Sequence, residues 1–105
     1  MIISGGENIY PAEVEAVLAQ HPAVADVAVL GRPDPVWGEA VHAVIIPAGG
    51  AAGSVSADEI ISWCRDQLAH FKCPKSVEFT ASFPRTTTGK VLKRELRAQT
   101  GPVRS

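Results

Sequence analysis

The stretch best equipped for chemistry is Pro84-Arg85-Thr86-Thr87-Thr88-Gly89-Lys90, followed by Val91-Leu92-Lys93-Arg94-Glu95-Leu96. Three threonines and a glycine make a loop with little apolar surface to bury, and a lysine closes it. Leu92 and Leu96, four apart, predict a helix over residues 92–100. Lys90 is therefore held by a helix yet carried on a segment able to move. A lysine is a compact point charge on a flexible stem, suited to an anionic substrate group rather than to packing. An isolated Gly-Lys is most often an ordinary surface lysine. Nor is this a Walker-type phosphate loop, because Pro84 stands where the first glycine belongs and Val91 where Ser or Thr belongs. The case for Lys90 must come from the rest of the chain.

A chain of 105 residues makes one domain, large enough for a modest core but small for an enzyme with a deep cleft. With 46% hydrophobic and 20% charged residues, it has the composition of a folded protein rather than a disordered one. No apolar run approaches the roughly 20 residues of a transmembrane helix, and Met1-Ile2-Ile3-Ser4 lacks the basic start of a secretion signal. Cys64 and Cys73 fit neither a zinc knuckle nor a CxxC pair, and read as reduced thiols of a cytoplasmic protein. Charge is uneven. Residues 1–64 carry eight acidic side chains and one basic, whereas residues 65–105 carry nine basic and three acidic. A basic final third points to an anionic partner such as a nucleotide, or to a solvated face. Nucleic acid is disfavoured, since that third lacks interleaved aromatics or a known binding motif.

The elements that must position Lys90 can be read from pattern. Ile2-Ile3 is a strand stub entering a Gly5-Gly6 turn, where paired glycines permit positive φ and a close approach of backbone or thin ligand, or simply make a hairpin turn. Pro11 suits the first position of a helix, with Glu13 and Glu15 near its positive end and Val14, Val17 and Leu18 facing inward. His21-Pro22 stops it. Residues 24–30 form a strand, 31–35 a turn cluster, and 39–47 a second strand. Trp37 sits between them, half buried, either in the core or as a stacking surface. Ser56…Glu59 is a capping box opening a helix whose inward face is Ile60, Ile61, Cys64 and Leu68. Residues 76–80 make a third strand, and Phe83-Pro84 anchors the loop. The result is an α+β domain, a small three-stranded sheet with packed helices. His21, His42 and His70 lie far apart with no metal-ligand spacing, so no metal site is expected. No serine sits in a nucleophile elbow. Lys90 has no local partner and should act on something held elsewhere.

Two separated blocks agree on a family. Residues 1–15, Met-Ile-Ile-Ser-Gly-Gly-Glu-Asn-Ile-Tyr-Pro-Ala-Glu-Val-Glu, resemble the segment after the inter-domain hinge of adenylate-forming enzymes. Pro84 to Lys90 resembles their C-terminal catalytic lysine motif. Residues 31–39 and 71–75 match in the same order, and the first block is most like bacterial fatty-acyl-CoA synthetases. The resemblance implies that residues 1–105 are the C-terminal lid domain, beginning just past the hinge. A large N-terminal domain, absent from this sequence, would hold ATP, Mg²⁺ and a fatty acid or other carboxylate. It implies a two-step ligase, in which the carboxylate attacks the α-phosphate of ATP and CoA thiol then displaces AMP. Lys90 would serve the first step; the Gly5-Gly6 turn would border the pantetheine path in the second. Trp37 and Phe71 would flank the adenine of CoA and Lys75 would meet phosphate. Cys73 stands where some relatives carry arginine, so the resemblance does not carry a phosphate contact over to this position. The context of Lys90 also resembles a site of reversible acylation by a lysine acetyltransferase and deacetylase. Two alternatives stay open: the matching subdomain of a carrier-protein-loading adenylation enzyme, and a non-catalytic module that docks a nucleotide or protein.

Overall fold

The computed structural model describes residues 1–49, 55–81, 83, 87 and 93. Its elements run β1 (Ile2–Ser4), β2 (Glu7–Ile9), α1 (Pro11–Leu18), β3 (Val24–Asp34), β4 (Gly38–Pro47), α2 (Ala57–Arg65), a 3₁₀ turn (His70–Lys72) and β5 (Ser76–Phe79). Pro11 opens α1 as expected, with Tyr10 extended before it and Glu13 in the first turn; Val14 and Leu18 are fully buried and Val17 partly so. Ser56 caps α2, its hydroxyl accepting from the Glu59 amide at 3.1 Å. Among the described residues, no helix is long and apolar enough to cross a membrane. The helix expected over residues 92–100 lies outside the described residues except for Lys93, which is helical.

Among the described residues the sheet has five strands rather than three. The three expected strands form its body: β3 pairs antiparallel with β4, and β5 runs parallel to β4 from His42↔Ser76 to Ile45↔Phe79. The strand stub and glycine turn expected at the start form the β1–β2 hairpin, which adds two strands of three residues each to the sheet. β1 joins β4 at Ser4↔Gly38, so β1 and β5 share one edge of β4, at its two ends. The turn expected at residues 31–35 is displaced. β3 continues through Gly31 and Pro33 to Asp34, and the reversal is made by residues 35–37. There the Asp34 carboxylate accepts from the amides of Val36 and Trp37 at 2.8 and 2.9 Å. Pro33 is tolerated because β3 is an edge strand, where a missing N–H leaves no ladder bond unmade.

Alternation along β4 sends its side chains to two cores. Val41, Ala43 and Ile45 face α1 and α2, packing with Val14, Leu18, Ile60, Cys64 and Cys73. Val44 faces the other way and packs with Ala28, Leu30 and Phe83. Each fully buried aliphatic side chain contributes about 1.5–3 kcal/mol, so this two-sided burial holds both loop-bearing ends of the sheet in register. Phe83, buried on that second face, fixes the point from which the chain enters the Lys90 motif.

Candidate functional site

A half-open cleft of about 780 Å³ lies between the β1–β2 hairpin and α2. Its hairpin side is built from Ser4, Gly5 and Glu7, with Trp37 from the β3–β4 turn beside them. The α2 wall is Asp58, Ile61, Ser62 and Arg65, spaced to share one face of a helix. His70, Phe71, Cys73, Pro74 and Lys75 complete it. Ile61, expected to point inward with Ile60, instead turns its side chain to this cleft.

The Gly5-Gly6 turn is set by its dihedrals. Gly5 has φ +58° and Gly6 φ +83°, the paired left-handed geometry of a tight hairpin turn that glycine adopts without strain. The Gly5 amide donates to the Trp37 carbonyl at 2.9 Å. A Cβ on Gly5 would sit 2.8 Å from Cε3 of the Trp37 ring, whereas one on Gly6 would meet nothing within 4 Å. The indole thus rests directly on the glycine backbone. Lys75 Nζ lies 4.9 Å from the indole centroid, a cation–π contact, while its amide donates to the Val41 carbonyl at 2.8 Å. Trp37 remains 47% exposed and Phe71 39% exposed, so both rings offer open surface for stacking. Phe71 carries Lys72 Nζ at 5.7 Å, and Glu13 holds that ammonium at 3.0 Å.

The structure therefore brings Gly5, Trp37, Phe71 and Lys75 to one cleft. Gly6 shares the turn but is not part of the lining. Lys90 lies outside the described residues. Of its loop, Thr87 is described, exposed in a turn. The motif is bracketed by two fixed points: buried Phe83, and Lys93, which pairs with the Glu15 carboxylate at 2.8 Å. Glu15 also accepts from the Val29 amide at 2.8 Å, so this acid ties α1, β3 and the C-terminal segment together rather than merely complementing a helix dipole. Sequence reasoning missed the α2 wall, and with it Arg65; its 58/61/62/65 spacing was the available signal.

His42, Cys64 and Cys73 are buried, and Cys73 also borders the cleft. His42 is 2% exposed. Its Nε2–H donates to the Glu78 carboxylate at 3.0 Å, and its Nδ1 lies 2.6 Å from the Ser76 hydroxyl and 3.4 Å from Arg32 Nη1. That pattern fits the neutral ring, and burial lowers its pKa, more than the Glu78 hydrogen bond raises it. Cys64 and Cys73 are both free and buried. Burial, with Cys73 beside it, pushes the Cys64 thiol up to about 12, so Cys64 acts as a packing group. Among the described residues, no group of three or more His, Cys, Asp or Glu could hold a metal ion.

The profile described as "AMP-binding enzyme C-terminal domain" matches residues 13–90. The chain belongs to that family. Similar curated proteins are CoA ligases. A feruloyl-CoA synthase of Amycolatopsis sp is 54% identical over 101 residues, covering 96% of this chain and 20% of that protein. A long-chain-fatty-acid–CoA ligase of Mycobacterium tuberculosis is 48% identical over 99 residues, covering 94% and 19%. Among solved structures, a Mycobacterium tuberculosis fatty acyl CoA synthetase superposes with a TM-score of 0.88 at 47% identity, over 94% of this chain and 19% of that one. The o-succinylbenzoate CoA synthetase of Bacillus subtilis, solved with its acyl-adenylate intermediate, gives 0.82 at 44%, over 91% and 19%. As an AMP-binding enzyme C-terminal domain, this chain spans about a fifth of the length of the relatives it matches, and its α+β architecture is theirs.

Proposed function

We propose that this chain is the mobile C-terminal domain of an acyl-CoA synthetase. It would work in the cytoplasm against a larger domain that holds ATP, Mg²⁺ and a fatty acid or other carboxylate. The observation that carries this reading is the meeting of Gly5, Trp37, Phe71 and Lys75 on one cleft in a chain whose relatives are CoA ligases. In the first step a carboxylate oxygen attacks the α-phosphorus of ATP, pyrophosphate leaves, and an acyl-adenylate forms. The Lys90 ammonium offsets the negative charge that builds on the carboxylate and α-phosphate oxygens. In the second step the deprotonated CoA thiol attacks the acyl carbon and AMP leaves. Lys90 has then moved away, and the Gly5-Gly6 turn borders the path of the pantetheine arm, where a side chain would obstruct the thiol.

The CoA nucleotide would occupy the cleft. Trp37 and Phe71 supply π faces for the adenine, and Lys75 supplies charge for a phosphate. Lys75 rests 4.9 Å from the indole centroid in the free domain. An arriving phosphate can draw that ammonium off the ring, which frees the indole for the base in the same movement. Acylation of Lys90 would remove its charge and with it the first step. The test is Lys90→Ala in the full-length ligase. Adenylate formation should fall by about 10²–10³, the scale for removing one electrostatic stabiliser, while thioester formation from supplied acyl-adenylate is kept. Equal loss in both steps would refute the alternating role.

A further inference from the structure

Among the described residues that line the cleft, Arg65, His70 and Lys75 can carry positive charge. Lys72 is engaged by Glu13 at 3.0 Å and Lys93 by Glu15 at 2.8 Å. Arg65 has no ion pair or hydrogen bond among the described residues and projects from the last turn of α2 into the cleft wall. Position 73 supplies no charge. Cys73 is buried, with its sulfur 3.5 Å from the Ala69 carbonyl. Asp58 lies on the same face of α2, seven residues and about 10 Å before Arg65 along the helix. The wall is therefore acidic at one end and basic at the other, which gives an anionic ligand a preferred direction.

We infer that Arg65 is a specificity-determining residue that pairs with a phosphate of the bound nucleotide, acting with Lys75. The inference rests on the cleft being the CoA nucleotide site. The guanidinium presents a planar fork that matches two phosphate oxygens, and such charge-assisted pairs are stronger than neutral hydrogen bonds. An arginine in the last turn of a helix can also simply complement the dipole, so the test must separate the two roles.

The chain is titrated calorimetrically with adenosine 3′,5′-bisphosphate at low salt, and with adenosine as the uncharged control. Arg65→Gln should weaken the bisphosphate about tenfold or more and flatten the dependence of its affinity on salt. Adenosine binding and the melting midpoint should stay as in the wild type, and Arg65→Lys should recover part of the loss. Unchanged bisphosphate affinity and salt dependence in Arg65→Gln, with weaker binding in Trp37→Ala, would overturn the inference and leave the cleft assignment standing. Equal losses for bisphosphate and adenosine in Arg65→Gln would reduce Arg65 to a structural role and overturn it too. If the wild-type chain takes neither ligand, the cleft assignment falls, and the role of Arg65 with it.

Discussion

Replacing Gly5 by alanine tests the packing of the cleft's hairpin wall. Two costs add there. A non-glycine residue at φ +58° loses about 1–2 kcal/mol to left-handed backbone strain. The new methyl would also stand 2.8 Å from Trp37 Cε3 and 3.1 Å from Cζ3, an overpacking that costs about 1–3 kcal/mol. Gly5→Ala should therefore destabilise by about 2–5 kcal/mol. Gly6→Ala, where the methyl meets nothing within 4 Å, should cost only the strain, about 1–2 kcal/mol. Urea unfolding of both variants, followed by far-UV circular dichroism so that the perturbed indole is not the reporter, measures the gap. Repeating Gly5→Ala in a Trp37→Ala background should return its cost to the Gly6 level, with a coupling of about 1–3 kcal/mol. The same clash pushes the indole off its seat beneath Lys75, so Gly5→Ala should also weaken nucleotide binding where Gly6→Ala does so less. Equal costs at the two glycines, or no relief on removing Trp37, would refute the claim that the indole rests on the turn.

His42 is held neutral, its pKa below the ordinary 6.5 because of burial. Below that pH the unfolded chain takes up a proton that the folded chain refuses, so its contribution is complete above about pH 6.5 and is lost as pH falls toward the folded value. Denaturant midpoints in that acid window should decline more steeply for the wild type than for His42→Gln. The Cys64 thiol, pushed up to about 12 and buried with Cys73, should resist Ellman's reagent at pH 8 in the folded chain; both thiols should react together on adding urea, and rapid native labelling would contradict this packing. Ser56→Ala removes the acceptor for the Glu59 amide and should lower stability by about 1 kcal/mol, read from the melting midpoint, with Ser56→Asp restoring it.

Elements with a local cause were legible in the sequence. Pro11 and Ser56 start helices through their own chemistry, and the β-branched runs of β3 and β4 need no distant partner to be recognised. The hairpin was legible as a strand stub and a glycine turn, but its place in the sheet was not. β1 pairs locally with β2 from Ile2↔Ile9 to Ser4↔Glu7, yet it joins the sheet because Ser4 meets Gly38, and Ile3 donates its amide to the Glu39 carboxylate at 2.9 Å, contacts 34 and 36 residues away in sequence. The displaced turn has a similar origin. Gly31 and Pro33 read locally as breakers, yet an edge position in the ladder accepts both. At the site, Gly5, Trp37, Phe71 and Lys75 were legible through resemblance to a family. Arg65 was not, because a mixed face of Asp, Ile, Ser and Arg looks like a solvated one until the hairpin is seen opposite it. The Lys90 loop stays an inference from sequence, since Lys90 itself lies outside the described residues.

One edge of β4 serves two neighbours, and that arrangement sets a length. The hairpin meets the strand at Gly38, and β5 departs beside Ile45, where the Thr80 amide donates to the Ile45 carbonyl at 2.9 Å. Seven residues of extended chain separate these stations by about 24 Å, most of the way across a domain whose principal extents are 37 × 32 × 27 Å. The Gly5-Gly6 turn and the root of the Lys90 segment are thus spaced like two tools on opposite ends of one handle. In the proposed two-step reading, whatever grips the handle would turn it over to change tools, and any substitution that shortens or bends β4 should disturb the exchange between them before it disturbs either end alone.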